Sequence, residues 1–296
     1  MEIINKYFHE LDSISVLKEP VASFWECVHE GWPEKCYSEK LVAGLIELFK
    51  QCQTQFGNPI HKILDLGAGA GNPSIGLAKA GYEIVAVDKD PDMATYFNTN
   101  ANIESVKIPF VFRDWTALLI PNHGNEITPS SFDIVICRGN SFIYAGTWET
   151  LDFIKPAVRA TLALCMKNIY AALRPGGFFY IDISRRIEYS GIPVHCENIG
   201  FRQLHDEVIH IYWFVRYEPE KCKRIVDAFR VFHDRYTHKL KKISSHTFVS
   251  YHLPHNELIS LCIEAGFECI NEYVRVAGED HYDIFLFRKP NSPNKE

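Results

Sequence analysis

Apolar positions along this chain change their spacing several times, and each change marks a different kind of structure. Up to about residue 60 they recur at helical intervals. Leu41, Val42, Leu45, Ile46, Leu48 and Phe49 share one face of a helix that Ser38 can cap. The breaker "EGWPEK" separates it from an earlier helix around "VASFWECVHE". From residue 62 the pattern alternates. "KILDL", "YEIVAVD", "PFVFRD", "FDIVICR" and "GGFFYIDI" read as strands. "NPSIGLAKA", "DPDMATYFNTN" and a long stretch ending near Leu173 read as helices between them. Apolar strands alternating with amphipathic helices predict a mostly parallel, Rossmann-like α/β sheet covered on both faces.

The rhythm breaks again over residues 185–255. "EVIHIYWFVRYE" and "RIVDAFRVFHDRYTH" are long strand-like runs without intervening helices, which predicts an antiparallel insertion. "HNELISLCIEAGF" restores a helix that ends at Gly266. "FECINEYVRV" and "YDIFLFRK" then predict a hairpin that completes a seven-stranded sheet. The expected layout is a helical N-terminal arm over 1–60, an α/β core over 61–184 and 256–290, and an antiparallel β insertion over 185–255.

Composition narrows the class. With 47% hydrophobic and 23% charged residues in 296, the chain is an ordinary globular one. A net charge of −6 argues against general nucleic-acid binding. No apolar run approaches membrane-spanning length, and "MEIINKYFHELDS" lacks a basic segment followed by an apolar one. Nine scattered cysteines without a CxxC pair predict reduced thiols and a cytoplasmic setting. His246, His252 and His255 match no common zinc spacing, so no metal is expected.

Two stretches carry the chemistry. In "ILDLGAGAGNP", Gly67, Gly69 and Gly71 lie between a strand and a helix, where glycines allow a tight turn and close approach of a ligand. A nicotinamide-dinucleotide fingerprint places glycine at position 72, where this chain has Asn72 followed by Pro73. Asn72 suits a helix cap and Pro73 a first helical position. Asp88 ends the second strand of the core, where a carboxylate can accept both hydroxyls of a ribose. The second stretch, "DIVICRGNSFIYAG", sets a cation and an amide directly at the exit of a very apolar strand.

"ILDLGAGAGNPSIGLAKAGYEIVAVDKDPDM", "RDW", "VICRGNSF" and "LRPGGFFYIDI" together resemble class I S-adenosylmethionine-dependent methyltransferases. "VICRGNSF" and the insertion after the fifth core strand are similar to the glycine/sarcosine N-methyltransferase group within that class. The resemblance runs from about Ile63 to Ile183 and resumes over the last two strands. It implies S-adenosylmethionine as cofactor, with S-adenosylhomocysteine as product. It also implies that Asp65, Gly67, Ala68 and Gly69 pass under the cofactor's amino-acid part. Asp88 would hold the ribose, Lys89 and Met93 would lie against the adenine, Asp114 would accept from its amino group, and Trp115 would lie alongside. Arg138, Gly139, Asn140 and Ser141 would line the sulfonium and the acceptor pocket. Trp25 and Lys35 would belong to an arm that closes over the site. Arg185 or Arg186 would clamp an acceptor carboxylate, and the local alignment leaves both open. Where the family usually has leucine, this chain has Arg138.

The activity implied is methylation of a small molecule, in the first place an amine or amino acid, by direct in-line transfer. Methylation of oxygen or carbon in another small metabolite is the alternative. A non-catalytic S-adenosylmethionine-binding regulator is the alternative from another class. The expected partner is a small-molecule acceptor, with no nucleic acid and no membrane. The insertion would supply part of the acceptor pocket or a homo-oligomer interface.

Overall fold

The computed structural model describes residues 16–18, 39–121, 127–147, 154–184, 194–203, 205–272, 274–279 and 282–291. The elements begin with β1 (Val16–Lys18), α1 (Glu39–Phe56), β2 (Lys62–Leu66), α2 (Ser74–Lys79), β3 (Glu83–Asp88), α3 (Pro91–Ile103) and β4 (Phe110–Phe112). They continue with β5 (Phe132–Cys137), α4 (Lys155–Ala172), β6 (Leu173–Ser184), β7 (Val194–Gln203) and β8 (Glu207–Glu218). Last come β9 (Lys223–Asp234), β10 (Leu240–Tyr251), α5 (His255–Ala265), β11 (Glu268–Glu272) and β12 (Tyr282–Arg288). The chain divides into two compact units.

One unit is built on a seven-stranded sheet of order β11-β12-β6-β5-β2-β3-β4. The pairs β6–β5, β5–β2, β2–β3 and β3–β4 are parallel, and β12 runs antiparallel to both β6 and β11. The central strands are buried on both faces, which is why "DIVIC" reads as a continuous apolar run rather than as an alternation. Ile63, Ile134, Ile136, Phe178, Tyr180, Ile284 and Leu286 pack with Leu41, Leu45, Leu48 and Phe49 of α1 in one core cluster. The four α1 residues follow the helical spacing read from the sequence. Reversal of the strand order between β5 and β2 leaves a crevice at the carboxyl ends of these strands, the usual ligand position in such sheets.

The other unit is a five-stranded sheet of order β1-β10-β9-β8-β7. The pairs β7–β8 and β8–β9 are antiparallel, as the long strand-like runs predict. Ile209, Ile211, Val215, Val226, Ala228, Phe232 and Phe248 form its apolar cluster, with Trp213 and Tyr217 packed against it.

Four local readings shift. Residues 16–18, expected in a helical arm, form the strand β1, which runs parallel to β10 with Val16 opposite Ile243. α1, expected in the same arm, belongs instead to the unit of the seven-stranded sheet. α2 begins at Ser74, so Pro73 rather than Asn72 stands in the cap position, without a side-chain capping bond. β6 begins at Leu173, ahead of "GGFFYIDI", because Leu173 already pairs with Phe132 of β5. No helix among the described residues is long and apolar enough to cross a membrane.

Candidate active site

The carboxyl ends of β2, β3 and β5 bring the sequence-marked residues together. After β2 the chain turns through Gly67 (φ 71°) and Gly69 (φ 51°), both left-handed. Gly67 is required for more than its angle. A Cβ there would lie 2.9 Å from Ser141 Cβ and 3.2 Å from the Trp115 ring. The glycine loop and the exit of β5 therefore touch at this point. Gly67→Ala is expected to cost about 1–2 kcal/mol of stability from the left-handed backbone alone, measured by urea unfolding, with further loss from displacing Ser141.

Asp88, at the end of β3, ties this loop down. One carboxylate oxygen accepts from the Gly69 N–H at 2.9 Å and the other from the Asp90 N–H at 3.0 Å. Burial pushes its pKa up, and these backbone donors oppose the shift. Each carboxylate oxygen has a second lone-pair direction, so two further hydroxyl donors can be accepted. Asp88 therefore keeps acceptor capacity beyond the loop that it closes.

Asp65 faces elsewhere. It is buried and accepts from the Ser74 hydroxyl at 2.6 Å, fastening the glycine loop to the start of α2. Burial, the largest cause, pushes its pKa to about 7, while Ser74 and Arg138 pull it down. The folded protein thus keeps a proton that the unfolded chain releases near pH 4. Stability from this group is full below that pH and falls as pH rises towards 7. Between pH 6 and 7 the wild type is expected to lose about 1 kcal/mol relative to Asp65→Asn, read by calorimetric unfolding at the two pH values.

Lys89 and Asp114 form an ion pair at 3.2 Å. Asp114 also accepts from the hydroxyl (2.6 Å) and N–H (2.8 Å) of Thr116, capping the short 3₁₀ turn Trp115–Ala117. Burial alone would raise its pKa, but Thr116 and Lys89 outweigh it and hold the carboxyl below its usual range. Met93 is buried in the first turn of α3, whose N-cap Asp90 accepts from the N–H groups of Asp92 and Met93. Trp115 is also buried, stacked on Phe142 with centroids 6.0 Å apart, while Asn168 of α4 donates to its carbonyl at 2.9 Å. Trp115 thus packs beneath the junction of the two loops.

The β5 exit is the most constrained part of the site. Gly139 (φ 69°) and Asn140 (φ 59°) are consecutive left-handed residues. The buried Asp182 of β6 accepts from the Asn140 N–H at 2.7 Å. The Ser141 hydroxyl donates to the Arg138 carbonyl at 2.5 Å. The Arg138 guanidinium is paired with Glu279 at 2.6 Å, and both side chains are largely out of solvent. Burial, then repulsion from Glu279, raises the pKa of Asp182, while Arg138 opposes the shift. Cys137, at the end of β5, is fully buried, and burial pushes its thiol well above the ordinary range. It is a packing residue.

Trp25, Lys35, Arg185 and Arg186 lie outside the described residues. Four supporting residues were not singled out from the sequence: Ser74, Asn168, Asp182 and Glu279. Asp182 carries a legible signal, as the one charged residue within the apolar run "FFYIDI". Glu279, in "AGED", carries none.

Comparison with known proteins decides the class of the core. Residues 63–177 match the family described as a methyltransferase domain. This stretch is a methyltransferase domain. A glycine/sarcosine N-methyltransferase of Halorhodospira halochloris is 31% identical over 134 residues, 45% of this chain and 42% of that protein. A glycine/sarcosine/dimethylglycine N-methyltransferase of Actinopolyspora halophila is 29% identical over 236 residues, 77% of this chain and 35% of that protein. The chain thus matches less than half the length of these curated relatives. Among solved structures, Streptomyces venezuelae DesVI superposes with a TM-score of 0.65 at 12% identity, covering 93% of this chain and all of that one. A S-adenosylmethionine-dependent methyltransferase from Clostridium acetobutylicum gives 0.63 at 16% identity, covering 91% of this chain and 98% of that one. Likeness at that identity speaks to the fold of the domain.

Proposed function

We propose that this protein N-methylates a small amine or amino acid, with S-adenosylmethionine as the methyl donor. The observation that carries the reading is the junction at Gly67 and Ser141. There the loop next to Asp88 meets the left-handed Gly139–Asn140 turn at the carboxyl edge of the sheet. The curated relatives support a nitrogen acceptor, since those cited are named as N-methyltransferases of glycine and its methylated forms.

When bound, S-adenosylmethionine supplies a methyl group that already carries a good leaving group. The protein's task is then to align a neutral amine and to exclude water. In this reading Asp88 holds the ribose, with Gly67, Ala68 and Gly69 beneath the amino-acid part. Lys89, Met93, Asp114 and Trp115 form the adenine side. Asn140 orients the acceptor by its amide, and Arg138 contributes backbone rather than charge, its guanidinium being held by Glu279. Trp25 and Lys35 close over the site, and Arg185 or Arg186 receives an acceptor carboxylate.

A labelled-methyl transfer screen over amino acids, simple amines and small phenols, read by mass spectrometry, tests this. Label on the nitrogen of an amine is the expected result. Label only on phenols, or S-adenosylmethionine binding without transfer to any acceptor, would overturn it.

A further inference from the structure

Arg138, Gly139 and Asn140 leave β5 as three consecutive residues, and the first and last are anchored by carboxylates from distant parts of the chain. Asp182 on β6 takes the Asn140 N–H at 2.7 Å. Glu279, on the segment leading into β12, takes the Arg138 guanidinium at 2.6 Å, with 3% of the glutamate side chain and 10% of the arginine exposed. Gly139 and Asn140 are residue types that accept the left-handed backbone, and the contacts to Asp182 and Glu279 select which way this turn faces. A glutamate and an arginine buried together give a short, directional contact of the kind that fixes geometry.

The segment bearing Glu279 is itself held rigidly. The Glu279 N–H donates to the Val276 carbonyl at 3.1 Å, and Val276 is part of the core. Helix α1 presses against the same segment. A Cβ at Gly44 would lie 2.7 Å from the Ala277 carbonyl oxygen and 2.8 Å from its nitrogen. Both are backbone atoms, so neither can swing away.

We propose that Glu279 is a positioning residue: seated by α1, it holds Arg138 and so fixes the Gly139–Asn140 turn that presents the acceptor amide. This rests on reading the β5 exit as the acceptor side, but its test does not require that reading. The role lies in contact geometry rather than in charge alone. Two substitutions separate the two. Glu279→Asp keeps the charge and withdraws the carboxylate by one methylene. Glu279→Gln keeps the reach and removes the charge. Gly44→Ala disturbs the segment from the far side without touching any group of the site.

Residue-resolved amide hydrogen exchange on the full chain is the decisive measurement, with no cofactor or acceptor present. Exchange at Gly139 and Asn140 is expected to rise at least tenfold in Glu279→Asp and in Gly44→Ala, and about threefold in Glu279→Gln. Amides of β2 should stay within a factor of two, which excludes a general loss of stability. With an acceptor in hand, kcat/KM for that acceptor should fall about tenfold in Glu279→Asp, while the dissociation constant for S-adenosylhomocysteine changes less than twofold. Unchanged exchange at Gly139 and Asn140 in both Glu279 variants overturns the proposal. If Glu279→Asp does not fold, the Glu279→Gln exchange decides alone. If the wild type methylates no amine, the proposed function fails while the exchange result still decides the role of Glu279.

Discussion

Asp88→Ala is expected to weaken S-adenosylmethionine binding by about 1.5–3 kcal/mol, the usual loss when a charged acceptor of two hydroxyl hydrogen bonds is removed. The structure adds a second cause. The same carboxylate accepts from the N–H groups of Gly69 and Asp90, so the alanine also releases the glycine loop. Asp88→Asn separates the two causes. Its amide oxygen can retain one backbone donor, so it should lie between alanine and wild type. Isothermal calorimetry with S-adenosylmethionine or S-adenosylhomocysteine measures both. An alanine variant that is folded and binds with unchanged affinity would remove Asp88 from the cofactor site, and with it the main fixed point of the proposed arrangement.

The second large effect concerns the acceptor. One of Arg185→Lys and Arg186→Lys is expected to lose about 2–4 kcal/mol of transition-state stabilisation, while the other stays near wild type. A planar guanidinium makes two parallel hydrogen bonds to a carboxylate, which an ammonium does not reproduce. The structure strengthens the motive for testing these two. Arg138, the arginine at the exit of β5, already has Glu279 as a counter-ion at 2.6 Å. An acceptor carboxylate recruited to Arg138 would have to compete with that contact. The damaged variant should keep its affinity for S-adenosylmethionine and lose mainly in the acceptor's kcat/KM. The transfer screen should then favour amines with a carboxylate over their decarboxylated counterparts. Equal turnover of both kinds by wild type, with both lysine variants unaffected, rules the clamp out.

The division between what the sequence discloses and what it hides follows the range of each interaction. β2, β3 and β5 are legible because burial on both faces makes nearly every residue apolar. α1 is legible because burial on one face leaves a helical period. Gly67 and Asp88 are legible because a strand–turn–helix has a local grammar. β1 is not, since three residues give no periodicity and their partner lies more than two hundred positions away. The fate of the Arg138 side chain is hidden for the same reason. Its partner is 141 residues distant, and "AGED" has the composition of any surface turn. Asp65 and Asp88 look alike in sequence, each an acid within or at the end of an apolar strand. Their surroundings separate them, one spent on Ser74 and the other closing the glycine loop.

Strand β1 also limits how the N-terminal region can be dissected. A truncation designed to remove the arm bearing Trp25 would take β1 with it. That would strip backbone partners from β10 along Ile243–Ser245 and lengthen the open edge of a twelve-residue strand. Open edges recruit other strands. A shortened protein could then lose turnover through self-association rather than through the missing arm, and dilution would distinguish the two. Point substitution at Trp25 keeps the edge covered and is the cleaner probe of closure.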